Sequence, residues 1–111
     1  SLALAKATVD VILAMDPKLV SLVAMGANGH SRTDEDEQCA LYLRNLLEGR
    51  QPDRDAVRNL ILVGRESLKF ESEHFPHHVY EDREISLQID RFPFAIQVEK
   101  ENDILVARAV R

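Results

Sequence analysis

The chain has 111 residues, enough for one domain, with 45% hydrophobic and 30% charged residues. A net charge of −5 with 14 dispersed Lys and Arg residues argues against a nucleic-acid binder, which needs basic side chains clustered against phosphate. The single cysteine, Cys39, excludes an internal disulfide and a cysteine-based metal site and fits a reducing cytoplasm; no apolar run reaches the ~20 residues of a membrane span, and nothing at the start resembles a signal peptide.

Residues 4–15 read as a helix, apolar around most of its circumference, with only Lys6, Thr8 and Asp10 clearly polar. Such a helix is expected to be buried between layers or against another domain. Asp16-Pro17 ends it, because the residue before proline avoids the helical region. The pattern is entered at Ser1-Leu2-Ala3-Leu4 with no lead-in strand, which suggests a fragment or a cleavage product of a longer protein. Residues 19–25, Leu-Val-Ser-Leu-Val-Ala-Met, are near-continuously apolar and predict a buried strand of a parallel sheet. Gly26 closes that run and the polar loop Ala27-Asn28-Gly29-His30-Ser31-Arg32 follows.

Thr33 is the expected N-cap of a second helix, with Asp36 completing a capping-box variant. Cys39, Ala40, Leu43, Leu46 and Leu47 form its apolar stripe, and Gly49 is the stop. Gln51-Pro52-Asp53 starts a third helix, whose Val57, Leu60, Ile61, Gly64 and Leu68 follow core spacing. Residues 71–78 read as irregular around Pro76. Residues 82–90 admit two readings: Ile85, Leu87 and Ile89 alternate as in a strand, while Ile85 and Ile89 stand four apart as in a short helix. Residues 94–98 and 104–107 predict strands joined at Glu101-Asn102-Asp103, so the chain ends in a β-hairpin. The fold class expected is α/β, a layered sheet with packed helices ending in a β-hairpin, as a single domain over residues 1–111.

The order strand, glycine-bearing loop, helix N-terminus is where open α/β sheets bind ligands. Asp34, Glu35, Asp36 and Glu37 crowd that helix start, so a bare phosphate would be repelled and Mg²⁺ would have to mediate its binding. Two of these carboxylates, with oxygens from Asn28 or Ser31, could hold the ion; the plainer reading is compensation of the helix dipole by exposed acids. Gly29 allows close backbone approach to a ligand, and His30 could serve as a general acid to a leaving alkoxide; alternatively Asn28-Gly29 marks a solvated turn. His74, His77 and His78 could be zinc ligands but read better as an exposed loop around Pro76. Cys39 reads as a buried inert thiol, and Asp90 could cap its element, pair with an arginine or reach a site. No dinucleotide, P-loop, zincin or serine-hydrolase motif is present.

Glu35-Asp36-Glu37-x-Cys39-Ala40 resembles the acidic E-D-D-x-C-A stretch of the 2-phosphosulfolactate phosphatase family of coenzyme M biosynthesis. Residues 80–90, Tyr-Glu-Asp-Arg-Glu-Ile-Ser-Leu-Gln-Ile-Asp, resemble that family's E-D-V-x-x-C-L-Q-x-D segment, and the opening helix matches the one after its G-S-x-x-N-A turn. Leu41 stands where the family has glycine, and Ser86 or Leu87 where it has a second cysteine. The resemblance implies a Mg²⁺-dependent acid phosphatase hydrolysing a small phosphate monoester, with two similar α/β halves of which this chain is the C-terminal one. It implies Glu35 and Asp36 as metal-site carboxylates and Cys39 and Ala40 as packing residues, and it favours a short helix over residues 82–90. Asn28, Gly29 and Ser31 would line the substrate side, His30 would donate a proton, and the missing N-terminal half or a homo-oligomer would complete the site. The contrasting expectation is a non-catalytic α/β interaction domain that forms a homodimer through its apolar first helix.

Overall fold

The computed structural model describes residues 1–68 and 84–111, of which 65–68 by backbone alone. It is a mixed helix-and-strand fold. A 3₁₀ turn, Leu2–Leu4, leads directly into α1, Ala5–Met15; then come α2, Asp34–Leu47, and α3, Arg54–Leu68, and the chain closes with β1, Ala95–Glu101, and β2, Ile104–Val110. The second helix packs against both α1 and α3, and β1 lies against α1.

Local chemistry explains each boundary. Asp16, in the left-handed region at φ 47°, caps α1, its N–H reaching Leu13 O at 3.1 Å, and Pro17 forbids continuation. The far end of α2 is a Schellman closure around Gly49, φ 78°: Gly49 N–H donates to Leu46 O at 3.1 Å and Arg50 N–H to Asn45 O at 2.8 Å. Asp53 begins α3 by accepting from the N–H groups of Asp55 and Ala56 at 2.9 and 3.1 Å. In the hairpin, Glu101 pairs with Ile104 and Ala95 with Val110. The two turn residues, Asn102 and Asp103, both have positive φ, 49° and 65°, as a tight turn matched to strand twist requires.

Leu2, Ala5, Tyr42, Val57, Ile61 and Leu87 form the core, with Cys39, Leu43, Leu46 and Ile89 packed around it. The expected stripe of α3 is narrower than its spacing suggested. Val57 and Ile61 are buried whereas Leu60 faces solvent, because α2 covers only one side of the helix. Gly64 belongs to the contact for a specific reason: a Cβ there would stand 1.8 Å from Asp34 Oδ2, so the start of α2 rests directly on α3. The first helix is also less completely covered than its composition suggested. Ala5 and Val9 are buried and Leu13 and Met15 are exposed.

Residues 19–25 depart most from expectation. They do not form a buried strand: among the described residues the only strands are β1 and β2, which pair with each other. Leu19, Val23 and Met25 are 82, 72 and 67% exposed. A strand is stabilised by the neighbours it pairs with, and no described segment pairs with residues 19–25. Residues 84–86 are helical and 87–90 turn, so the alternation of Ile85, Leu87 and Ile89 is not a strand there. Leu87 instead drops into the core. The histidines His74, His77 and His78 lie outside the described residues.

Asp90 ties this turn to the rest of the molecule. Its Oδ1 accepts from Lys6 N–H at 2.7 Å, at the start of α1, and its Oδ2 from Arg54 Nη2 at 2.5 Å, at the start of α3. The adjoining backbone adds Asp90 N–H to Leu2 O and Phe92 N–H to Ala3 O, both at 3.0 Å. Of the roles open to it from sequence, Asp90 takes the pairing with an arginine, Arg54 and not its neighbour Arg91; the helix start it caps is that of α1 and not its own element.

Candidate functional site

The loop between residues 26 and 32 is closed on itself. Gly26 has φ +67°, and a Cβ there would meet the Ser31 carbonyl oxygen at 2.0 Å, so only glycine fits this position. Ala27 N–H donates to Ser31 O at 2.8 Å, and His30 and Ser31 N–H both reach Ala27 O, at 3.1 and 3.2 Å. Asn28 and Gly29 form the tip with φ 55° and 70°, the positive pair an Asn-Gly turn adopts. The turn reading of this dipeptide therefore holds. Asn28, Gly29, His30 and Ser31 are all exposed.

The four acids of the α2 start do not act together. Asp34 lies over Gly64. Asp36 Oδ2 accepts from Gly26 N–H at 2.8 Å, which fastens the loop to the helix. Glu37 takes Arg32 in a two-point pair, at 2.5 and 3.0 Å, and that guanidinium holds the Glu37 carboxyl below the usual range. Glu35 is half-buried. Thr33 occupies the N-cap position with extended backbone, but its side chain makes no cap bond. Its hydroxyl oxygen is buried and without a partner among the described residues. The expected capping box is thus absent, because Asp36 reaches out to the loop instead of back to the cap.

Glu35 and Asp36 share the wall of one cavity of about 410 Å³. Ser21, Leu22, Cys39, Leu43, Ile61 and Ser86 also line it. Gly29, His30 and Ser31 open on a second, smaller recess of about 140 Å³ with Arg32, Thr33 and Glu37. Met25 borders both spaces. The candidate residues, adjacent in sequence, are therefore divided: carboxylates on one side of Met25, loop residues on the other. Cys39 faces the carboxylate cavity and packs on the core, consistent with an apolar thiol.

Oxygen groups wall the carboxylate cavity, although among the described residues no group of three or more His, Cys, Asp or Glu is gathered that could hold a metal ion. Two carboxylates and the hydroxyl-bearing Ser21 and Ser86 supply oxygen donors of the kind Mg²⁺ takes, and no Lys or Arg is among its lining residues. Asp36 retains acceptor capacity beyond its bond to Gly26, since a carboxylate offers about four lone-pair positions. Two features escaped sequence reasoning. Tyr42 is a core residue, although its i+3 and i+4 relation to Cys39 and Leu46 was visible. The tether from Asp36 to Gly26 spans a loop, and no local spacing encodes it. The chain matches no family model, no curated protein and no solved structure.

Proposed function

We propose that this chain is the metal-holding part of a Mg²⁺-dependent phosphatase-like protein acting in the cytoplasm on a small phosphate monoester of the 2-phosphosulfolactate type. The observation that carries the reading is the convergence of Glu35 and Asp36 on one cavity of about 410 Å³; the sequence resemblance supplies the reaction class. Bound there, Mg²⁺ would neutralise charge developing on the phosphoryl oxygens.

The chain's own residues have defined tasks in this scheme. Glu35 and Asp36 hold the cation, and Gly26 N–H, 2.8 Å from Asp36 Oδ2, fixes the orientation of one of them. Ser21 and Ser86 present hydroxyls to the bound substrate. Gly29 and Ser31, with Asn28 at the tip, line the approach from the loop side. His30 donates a proton to the leaving oxygen, which requires the loop to swing past Met25 or the substrate to bridge the two recesses. Because carboxylates and histidine open on different spaces, the isolated chain is expected to turn over p-nitrophenyl phosphate poorly.

Calorimetric titration with MgCl₂ tests the reading. Saturable binding by the wild-type chain that is lost in Glu35→Gln/Asp36→Asn supports it. Absence of binding in both proteins refutes it.

A further inference from the structure

We propose that residues 19–25, together with the end of α1, form the contact face of a homodimer, so that the occupant of this apolar surface is a second copy of the chain. The observation does not require a bound metal, although Ser21, Leu22, Val23 and Met25 of this run also line the carboxylate cavity. Among the described residues, none from Lys18 through Met25 takes part in a backbone hydrogen bond. Backbone N–H and C=O groups are strong hydrogen-bonding groups, and an unpaired apolar run of this kind is a template for another chain.

The area fits. Leu13, Met15, Leu19, Val20, Val23 and Met25 are 38–82% exposed. At roughly 100 Å² of apolar surface for each fully exposed side chain of this size, they present nearly 400 Å² a copy. In an interface about 57% apolar that corresponds to roughly 1,300 Å² buried by two copies, inside the standard range of about 1,200–2,000 Å².

The shape and charge fit a self-association in particular. A two-fold interface sets one patch against itself, so the patch must carry both members of every complementary pair. This one does. The side chains of Leu19 and Val23 stand out from it as knobs. Beside them is a cavity of about 460 Å³ lined by Ile12, Leu13, Val20, Leu22 and Leu47, a hole for the partner's knobs. Its lining carries both signs, Asp16 and Glu48 against Arg44, within a chain whose overall charge is −5. A segment paired with itself about a two-fold axis is antiparallel, which also joins the unpaired backbones.

Light scattering on the eluting chain at about 100 µM, with and without Leu19→Asp/Val23→Asp, tests this. Both side chains are largely exposed in one copy, so the substitutions leave the single fold intact, and unchanged helical circular dichroism verifies that. The expected result is twice the chain mass for wild type and half of that for the variant. A wild-type monomer, or a variant that remains dimeric, overturns the proposal. Disulfide trapping provides a second arm: in a Cys39→Ala background, at least one of Ser21→Cys, Leu22→Cys and Val23→Cys should cross-link two copies. A dimer that none of them traps also overturns it. A monomer that still binds Mg²⁺ would remove this interface and leave the metal reading standing.

Discussion

Gly26 is the position where one side chain decides most. A Cβ would be driven into the Ser31 carbonyl, 2.0 Å away, at a φ of +67°, and the obstacle is backbone that cannot rotate aside. Gly26→Ala should therefore cost about 2 kcal/mol or more, read as a lower urea midpoint, with loss of the slowly exchanging Gly26 amide held by Asp36. An unchanged midpoint would mean that the loop is not locked. Tyr42 gives a second test. Burial pushes its phenol above the ordinary value, while Arg54 nearby pulls the other way. The folded protein keeps Tyr42 neutral at pH values where an unfolded tyrosine, with a pKa of about 10, has ionised. Stability is thus unaffected below that value and falls as pH rises beyond it. Urea midpoints at pH 8 and pH 11 should show this decline for wild type and a smaller one for Tyr42→Phe. Gly26 looked like a strand stop, because the Ser31 carbonyl that excludes a side chain there is set by the fold of the loop; the helical spacing of Tyr42 from Cys39 and Leu46 was visible, but not the Arg54 and Asp90 charges beside it.

The helices were legible as elements because their end signals are local. Pro17, Gly49 and Asp53 each act within a few residues of themselves, and all three work as their chemistry dictates. The hairpin was legible for the same reason, its turn lying between two apolar runs. Residues 19–25 were not, because apolar composition states that a segment would be buried as a strand but not what buries it. The long-range cap from Asp90 was likewise hidden, with its targets Lys6 and Arg54 distant in sequence. Asp90→Ala removes the acceptor at the start of α1, leaves Arg54 without its carboxylate, and puts alanine at φ 59°. The combined cost should be about 1–3 kcal/mol. Asp90→Asn, which keeps an acceptor and tolerates that φ, should lose less than half as much in thermal unfolding. Equal losses would show that the charge pair, and not the cap, matters.

The molecule as a whole sets its carboxylate cavity beside its apolar face, since Ser21, Leu22, Val23 and Met25 of the run 19–25 line that cavity. Helices α1, α2 and α3 enclose the core with Leu87. The start of α2 presents carboxylates to one cavity, while residues 19–25 and the end of α1 leave an apolar face open. The grouping of Glu35, Asp36 and the loop from Asn28 to Ser31 at the start of α2 was legible in the sequence as adjacency. Its division was not legible, because Met25 separates the two groups only once the loop has folded back through Gly26. No helix among the described residues is long and apolar enough to cross a membrane. Whether a divalent cation binds between Glu35 and Asp36 is read from paramagnetic broadening by substoichiometric Mn²⁺, followed residue by residue in ¹H–¹⁵N spectra. The amides of Ser21, Glu35, Asp36, Cys39 and Ser86 should broaden first, and the Glu35→Gln/Asp36→Asn chain should show none of it. Broadening spread evenly over the surface acids, or centred on Glu48 and Asp53, would contradict it.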